Sequence, residues 1–100
     1  MPKINYIKIA KKSAGIQISE LRKINKIFNK SFSQAINLIS GCKSKLIFVG
    51  QGKSGRQAAS ISSTMSSVGI PSFYIHPSET SHGDSGAIQR KDVLVIISFS

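Results

Sequence analysis

From Ser19 to Ile39 the apolar residues Leu21, Ile24, Ile27, Phe28, Phe32, Ala35, Ile36 and Ile39 recur at steps of three and four. That spacing gathers side chains on one face of an α-helix. It predicts one amphipathic helix over 19–39, with Ser19 as N-cap, Gly41 as the C-terminal stop, and Lys23, Lys26 and Lys30 on the polar side. A shorter helix is expected within residues 3–12, with a break near Gly15.

After Gly41 the period changes. "KLIFVG", "SFYIH" and "VLVIIS" are short continuous apolar runs rich in β-branched and aromatic residues, the pattern of strands covered on both faces. Between the first two, Ala58, Ile61, Met65 and Val68 form a helical stripe that ends at Gly69. Strand, helix, strand reads as a βαβ unit with parallel strands. The link from the second run to the third contains Pro77, Gly83 and Gly86, which predicts an irregular connection with at most a short helical turn. The expected fold class is α/β with a parallel sheet.

Composition narrows the function classes. The chain has 100 residues, 40% hydrophobic and 18% charged, which suits one folded domain at most. No apolar run approaches the roughly 20 residues of a bilayer span, and the N-terminus lacks the apolar core of a secretory signal. The lone cysteine, Cys42, cannot form an internal disulfide, which fits a reducing cytoplasm, and it is expected as a small buried residue. The net charge of +10 is uneven: residues 1–45 carry +9 and residues 46–100 carry +1. The excess is lysine rather than arginine, without aromatic interleaving suited to base stacking, so a solvated helix face is expected rather than a nucleic-acid reader.

Chemistry concentrates in "VGQGKSGRQAAS", where Gly50, Gly52 and Gly55 form G-x-G-x-x-G and overlap a G-K-S sequence. Lying between a strand and a helix, such a turn offers backbone amides and a helix dipole to an anion, and glycine lets the ligand approach. A Walker loop would need glycine at Ile47. A dinucleotide fold would want an acid at the end of the second strand, which here reads Ile75, His76, Pro77. A second cluster, "HPSETSHGDSG", follows that strand. Both loops leave carboxyl ends of strands, so Lys53, Ser54, Glu79, His82 and Asp84 can converge on one crevice as an acid/base group beside an anion site. His76 reads as a strand-end histidine, and no metal-ligand spacing is evident.

"GQGKSGR", "GIPSFYIHPSETSHGD" and "DVLVIISFS" together resemble the D-arabinose 5-phosphate isomerase family over roughly residues 16–100. The resemblance implies a flavodoxin-like sugar isomerase (SIS) domain and interconversion of D-ribulose 5-phosphate and D-arabinose 5-phosphate, a step toward a lipopolysaccharide sugar, without a cofactor. It implies Lys53 and His82 as catalytic, with Glu79 in support, and Gly52, Ser54, Gly55, Ser98 and Ser100 as substrate-binding residues. Of the family's Ser-rich phosphate loop only Ser98, Phe99 and Ser100 are present. The expected organisation is therefore a helical segment, 1–42, leading into the first part of an incomplete SIS domain, 43–100, truncated after the third strand and inactive alone. The expected partner is a sugar phosphate, with no nucleic acid and no membrane, and a homo-oligomer forms when the protein is full length. The alternative is a sugar-phosphate-binding SIS regulator.

Overall fold

The computed structural model describes residues 2–81 and 84–98. Two compact units are distinguished, Met1–Ala35 and Ile36–Ser100.

In the first unit, helix α1 spans Tyr6–Arg22 and is followed by a 3-10 turn, Lys23–Ile27. Asn5 caps α1 by accepting the Lys8 amide on its side chain at 3.0 Å, and Ser19, expected as the N-cap of a helix over 19–39, lies inside α1 instead. Gly15 lies within the helix and breaks nothing. The single helix expected over 19–39 is instead interrupted. Phe28 adopts φ −80°, ψ 74°, and Asn29 caps a new helix by accepting the Phe32 amide at 3.2 Å. Helix α2 then runs from Lys30 to Ser40. The interruption escapes the periodicity because a 3-10 turn also repeats at i+3, so Ile24, Ile27 and Phe28 keep the helical spacing. Phe28 and Phe32 bridge the break edge to face, with ring centroids 5.0 Å apart. Gly41 follows the end of α2, as expected.

The second unit holds the sheet. Strands β1 (Leu46–Val49), β2 (Ser72–Ile75) and β3 (Val93–Ile96) are parallel in the order β2-β1-β3. Leu46 aligns with Ser72 and Val93, and Phe48 with Tyr74 and Val95. Helix α3, Gly52–Ser67, crosses from β1 to β2. It ends in a left-handed Gly69, φ 90°. There the Ile70 amide reaches back to Met65 O at 3.0 Å and the Gly69 amide to Ser66 O at 3.1 Å, a Schellman termination.

Leu46, Phe48 and Ala58 form the buried core, with Met65, Tyr74, Val93 and Val95 against it. The face that α3 turns to the sheet is Gly55, Ala58 and Ser62, all buried. Of the expected stripe, Ala58 faces inward and Met65 is half-buried, but Ile61 and Val68 are exposed. The small residues let the helix sit close to β1, and closeness rather than bulk selects the packed face. All four residues of β1 are buried. The outer strands differ from the two-sided burial expected: Phe73 is 56% and Ile96 68% exposed, because α3 covers the opposite face. The connection after β2 contains two short 3-10 turns, Pro77–Ser81 and Asp84–Ala87. Ala87 borders a groove with Ile47, Phe73 and Ile75, so this return crosses the face that α3 leaves open.

The amino ends of β1 and β3 are clipped together. Asp92, whose side chain has no solvent exposure, pairs with the Lys45 ammonium at 2.7 Å. It also accepts the Ser44 hydroxyl at 2.5 Å and the Gln89 amide at 2.6 Å. Burial pushes the Asp92 carboxyl up, but the bonds from Lys45, Ser44 and Gln89 outweigh it and hold the group well below the usual carboxylate range.

Candidate functional site

The loops expected to carry chemistry leave the opposite, carboxyl ends of the strands. The chain leaves β1 at Gly50, passes Gln51 and enters α3 at Gly52, whose φ of +63° is left-handed. A side chain there would meet no neighbour within 4 Å, so glycine is required by the backbone alone. Gly50 and Gly55 are required by space. A Cβ on Gly50 would lie 2.9 Å from Ser54 O, and one on Gly55 2.7 Å from Gly50 O. The three glycines of the motif thus hold a tight turn closed onto the first turn of a helix.

Gln51 occupies the N-cap in extended conformation and makes no side-chain cap bond. The first amides of a helix have no intrahelical acceptor, and the helix dipole is positive at that end. Lys53 is exposed in this first turn, Ser54 is half-buried and Gly55 is buried. Lys53 enters no ion pair among the described residues. The arrangement presents a cation, a hydroxyl and amide donors together, with no acid in the first turn to oppose them.

From β2 come His76, half-buried, and Glu79, exposed. The His76 Nδ1 accepts the Ser78 amide at 3.1 Å and lies 2.8 Å from the Ser78 hydroxyl. Nδ1 is therefore the acceptor, which places the proton of a neutral ring on Nε2. Strand-end anchoring of the turn accounts for these contacts. The Glu79 amide donates to His76 O at 2.9 Å, which sets the carboxylate on the first 3-10 turn. Ser98, exposed, follows β3. His82 and Ser100 lie outside the described residues.

The residue that sequence reasoning missed is Tyr74. Its hydroxyl donates to Gly50 O at 2.7 Å. The available signal was the strand alternation: Tyr74 is two residues from buried Ser72 and shares its face, so its polar tip needs an inward partner.

No family model matches the chain. A probable arabinose 5-phosphate isomerase of Haemophilus influenzae is 37% identical over 98% of the chain and 29% of its own length. An arabinose 5-phosphate isomerase of Yersinia pestis is 35% identical over 99% of the chain and 30% of its own length. Among solved structures, an E. coli CFT073 protein in complex with arabinose 5-phosphate superposes with TM-score 0.77 at 32% identity, over 97% of this chain and 53% of that one. A Bacteroides fragilis phosphosugar isomerase ascribed to capsule formation gives TM-score 0.70 at 37% identity, over 84% of this chain and 49% of that one. The parallel sheet with its flanking helices thus matches the fold of SIS-domain phosphosugar isomerases. Over nearly its whole length, the sequence is homologous to part of these arabinose 5-phosphate isomerases. The chain spans about three tenths of the length of these curated relatives.

Proposed function

We propose that this chain supplies the anion turn and the acid/base loop of an aldose-ketose isomerase that interconverts D-ribulose 5-phosphate and D-arabinose 5-phosphate. The observation that carries the reading is the uncapped start of α3, with Lys53 and Ser54 on it behind a turn that three glycines hold closed. The sequence relatives name the substrate.

The reaction moves a proton between adjacent carbons of the open-chain sugar. A base removes the proton next to the carbonyl, an enediolate forms, and the proton returns to the neighbouring carbon. Hydrogen is redistributed within one molecule, so no redox cofactor is consumed. Lys53 stabilises the enediolate oxygen by its charge. His82 transfers the proton or opens the ring, and Glu79 supports it. Ser54 and the backbone at Gly52 and Gly55 bind the anionic end of the substrate, with Ser98 and Ser100 completing the cradle. The roles of His82 and Ser100 rest on the sequence motif. Along the sequence, we read a helical lead, 1–42, and an SIS segment, 43–100.

The partner is then a sugar phosphate, and copies associate in the whole protein. The basic N-terminal unit is solvated rather than bound to nucleic acid, and no helix among the described residues is long and apolar enough to cross a membrane. The cytoplasm, where phosphorylated sugars are retained by their charge, is the proposed location.

Titrating the isotope-labelled chain separately with D-arabinose 5-phosphate, NAD and ATP tests the reading by amide shifts. Saturable shifts at Gly52, Lys53 and Ser54 with the sugar phosphate alone are expected. Saturable NAD binding with no sugar-phosphate response overturns it.

A further inference from the structure

We propose that Tyr74 is a positioning residue for the glycine turn: its hydroxyl fixes the direction in which α3 presents its first amides and Lys53. The consequence for ligand binding rests on the function proposed above; the mechanical part does not.

The Gly50 carbonyl is the first beyond the sheet ladder, since Val49 O already accepts the Ile97 amide at 2.8 Å. Gly50 is buried, so its carbonyl is sheltered from water and needs a partner within the protein. Tyr74 supplies it at 2.7 Å. Tyr74 aligns with Phe48 in the sheet register, and its ring lies against the core around Leu46, Phe48 and Ala58. A phenylalanine would fill the same apolar space. The hydroxyl is therefore spent on the turn.

Gly55 opens the path for this bond. A Cβ there would lie 2.8 Å from the Tyr74 hydroxyl and 2.7 Å from Gly50 O, so a side chain would wedge apart the two atoms that bond. Tyr74 and Gly55 select the same contact from opposite sides. The turn is then pinned at Gly50 by Tyr74 and at Gly52 by its left-handed backbone, and Lys53 and Ser54 follow directly. Because β2 also delivers His76 and Glu79, the bond ties the loop after β1 to the loop after β2. A shift of one is resisted by the other.

Tyr74→Phe tests this against Ser44→Ala, which also removes one hydroxyl bond but at the far end of the sheet, where Ser44 donates to Asp92. In the ligand-free chain, backbone order parameters at Gln51–Ser54 are expected to fall from about 0.85 toward 0.6 in Tyr74→Phe and to stay unchanged in Ser44→Ala. Affinity for D-arabinose 5-phosphate is expected to weaken about 3- to 10-fold in Tyr74→Phe only. Unchanged order at Gln51–Ser54, or equal losses of affinity in both variants, overturns the proposal. A wild-type chain that ignores the sugar phosphate while Tyr74→Phe still loosens the turn supports the positioning role and overturns the isomerase reading instead.

Discussion

The Lys45 ammonium stands 2.7 Å from the Asp92 carboxylate, whose side chain is wholly shielded from solvent. This pair joins the segments that enter β1 and β3, at the end of the sheet away from the glycine turn. It gives the fold a specific response to acid. The carboxyl is held well below its ordinary value of 3.8, so the folded chain refuses a proton that the unfolded chain accepts. The stabilisation is complete above the unfolded value and is lost as pH falls from about 5 toward the depressed folded value. Urea midpoints measured between pH 6 and 3 are expected to decline. In Asp92→Asn the chain starts less stable and that decline is shallower.

Gly52→Ala isolates a backbone effect. Its φ is +63°, and an added Cβ would touch nothing within 4 Å. The expected loss is about 1–2 kcal/mol, the cost of a left-handed L-residue. Gly52→Asn should lose less, because asparagine tolerates that region. Chemical denaturation of both variants checks the order.

Gly55→Ala acts through crowding. The new methyl would meet Gly50 O and the Tyr74 hydroxyl below 3 Å, and overpacking of this kind costs about 1–3 kcal/mol. Adding Tyr74→Phe relieves one of the two close approaches, so the double variant should be more stable than the sum of the single losses implies. A double-mutant cycle in urea measures the coupling. Additive losses would mean that the methyl and the hydroxyl do not compete for one space.

Lys53→Ala should weaken binding of D-arabinose 5-phosphate about tenfold, equivalent to about 1.4 kcal/mol, while leaving the melting temperature nearly unchanged. Lys53 is exposed and has no ion pair among the described residues, so the fold loses little with it. Calorimetric titration beside a thermal melt separates the two effects.

The strands and α3 were legible because each apolar run is short and rich in β-branched or aromatic residues, and because glycines flank α3. The turn at Gly50–Gly55 was legible because its glycines answer to backbone geometry, which sequence records directly. The break at Phe28–Asn29 was not, since 3-10 and α spacing share the i+3 step and the deciding group is one asparagine side chain. The packed face of α3 was misjudged for a related reason. Counting apolar residues favoured Ile61 and Val68, whereas close approach to β1 favoured Gly55, Ala58 and Ser62. For Tyr74 the strand alternation signals only that its hydroxyl needs an inward partner; which partner, a main-chain carbonyl about 24 residues away, is not written in the spacing.

Placing β1 in the middle of the sheet also sets an order of assembly. Pairing Leu46 with Ser72 closes a loop of about 26 residues, much of it helix, whereas pairing Leu46 with Val93 closes about 47. The longer closure costs about 0.5 kcal/mol more in chain entropy, and it lacks a helix like α3, which shortens the first loop and packs on both strands that it joins. The β1-α3-β2 unit is therefore expected to form first, with β3 adding to the other side of β1. Folding kinetics should then give Val95→Ala a φ-value near zero and Ala58→Gly a high one. A chain growing from the ribosome would carry a half-paired β1 until its third strand emerges, and during that interval its free edge is open to any other strand within reach.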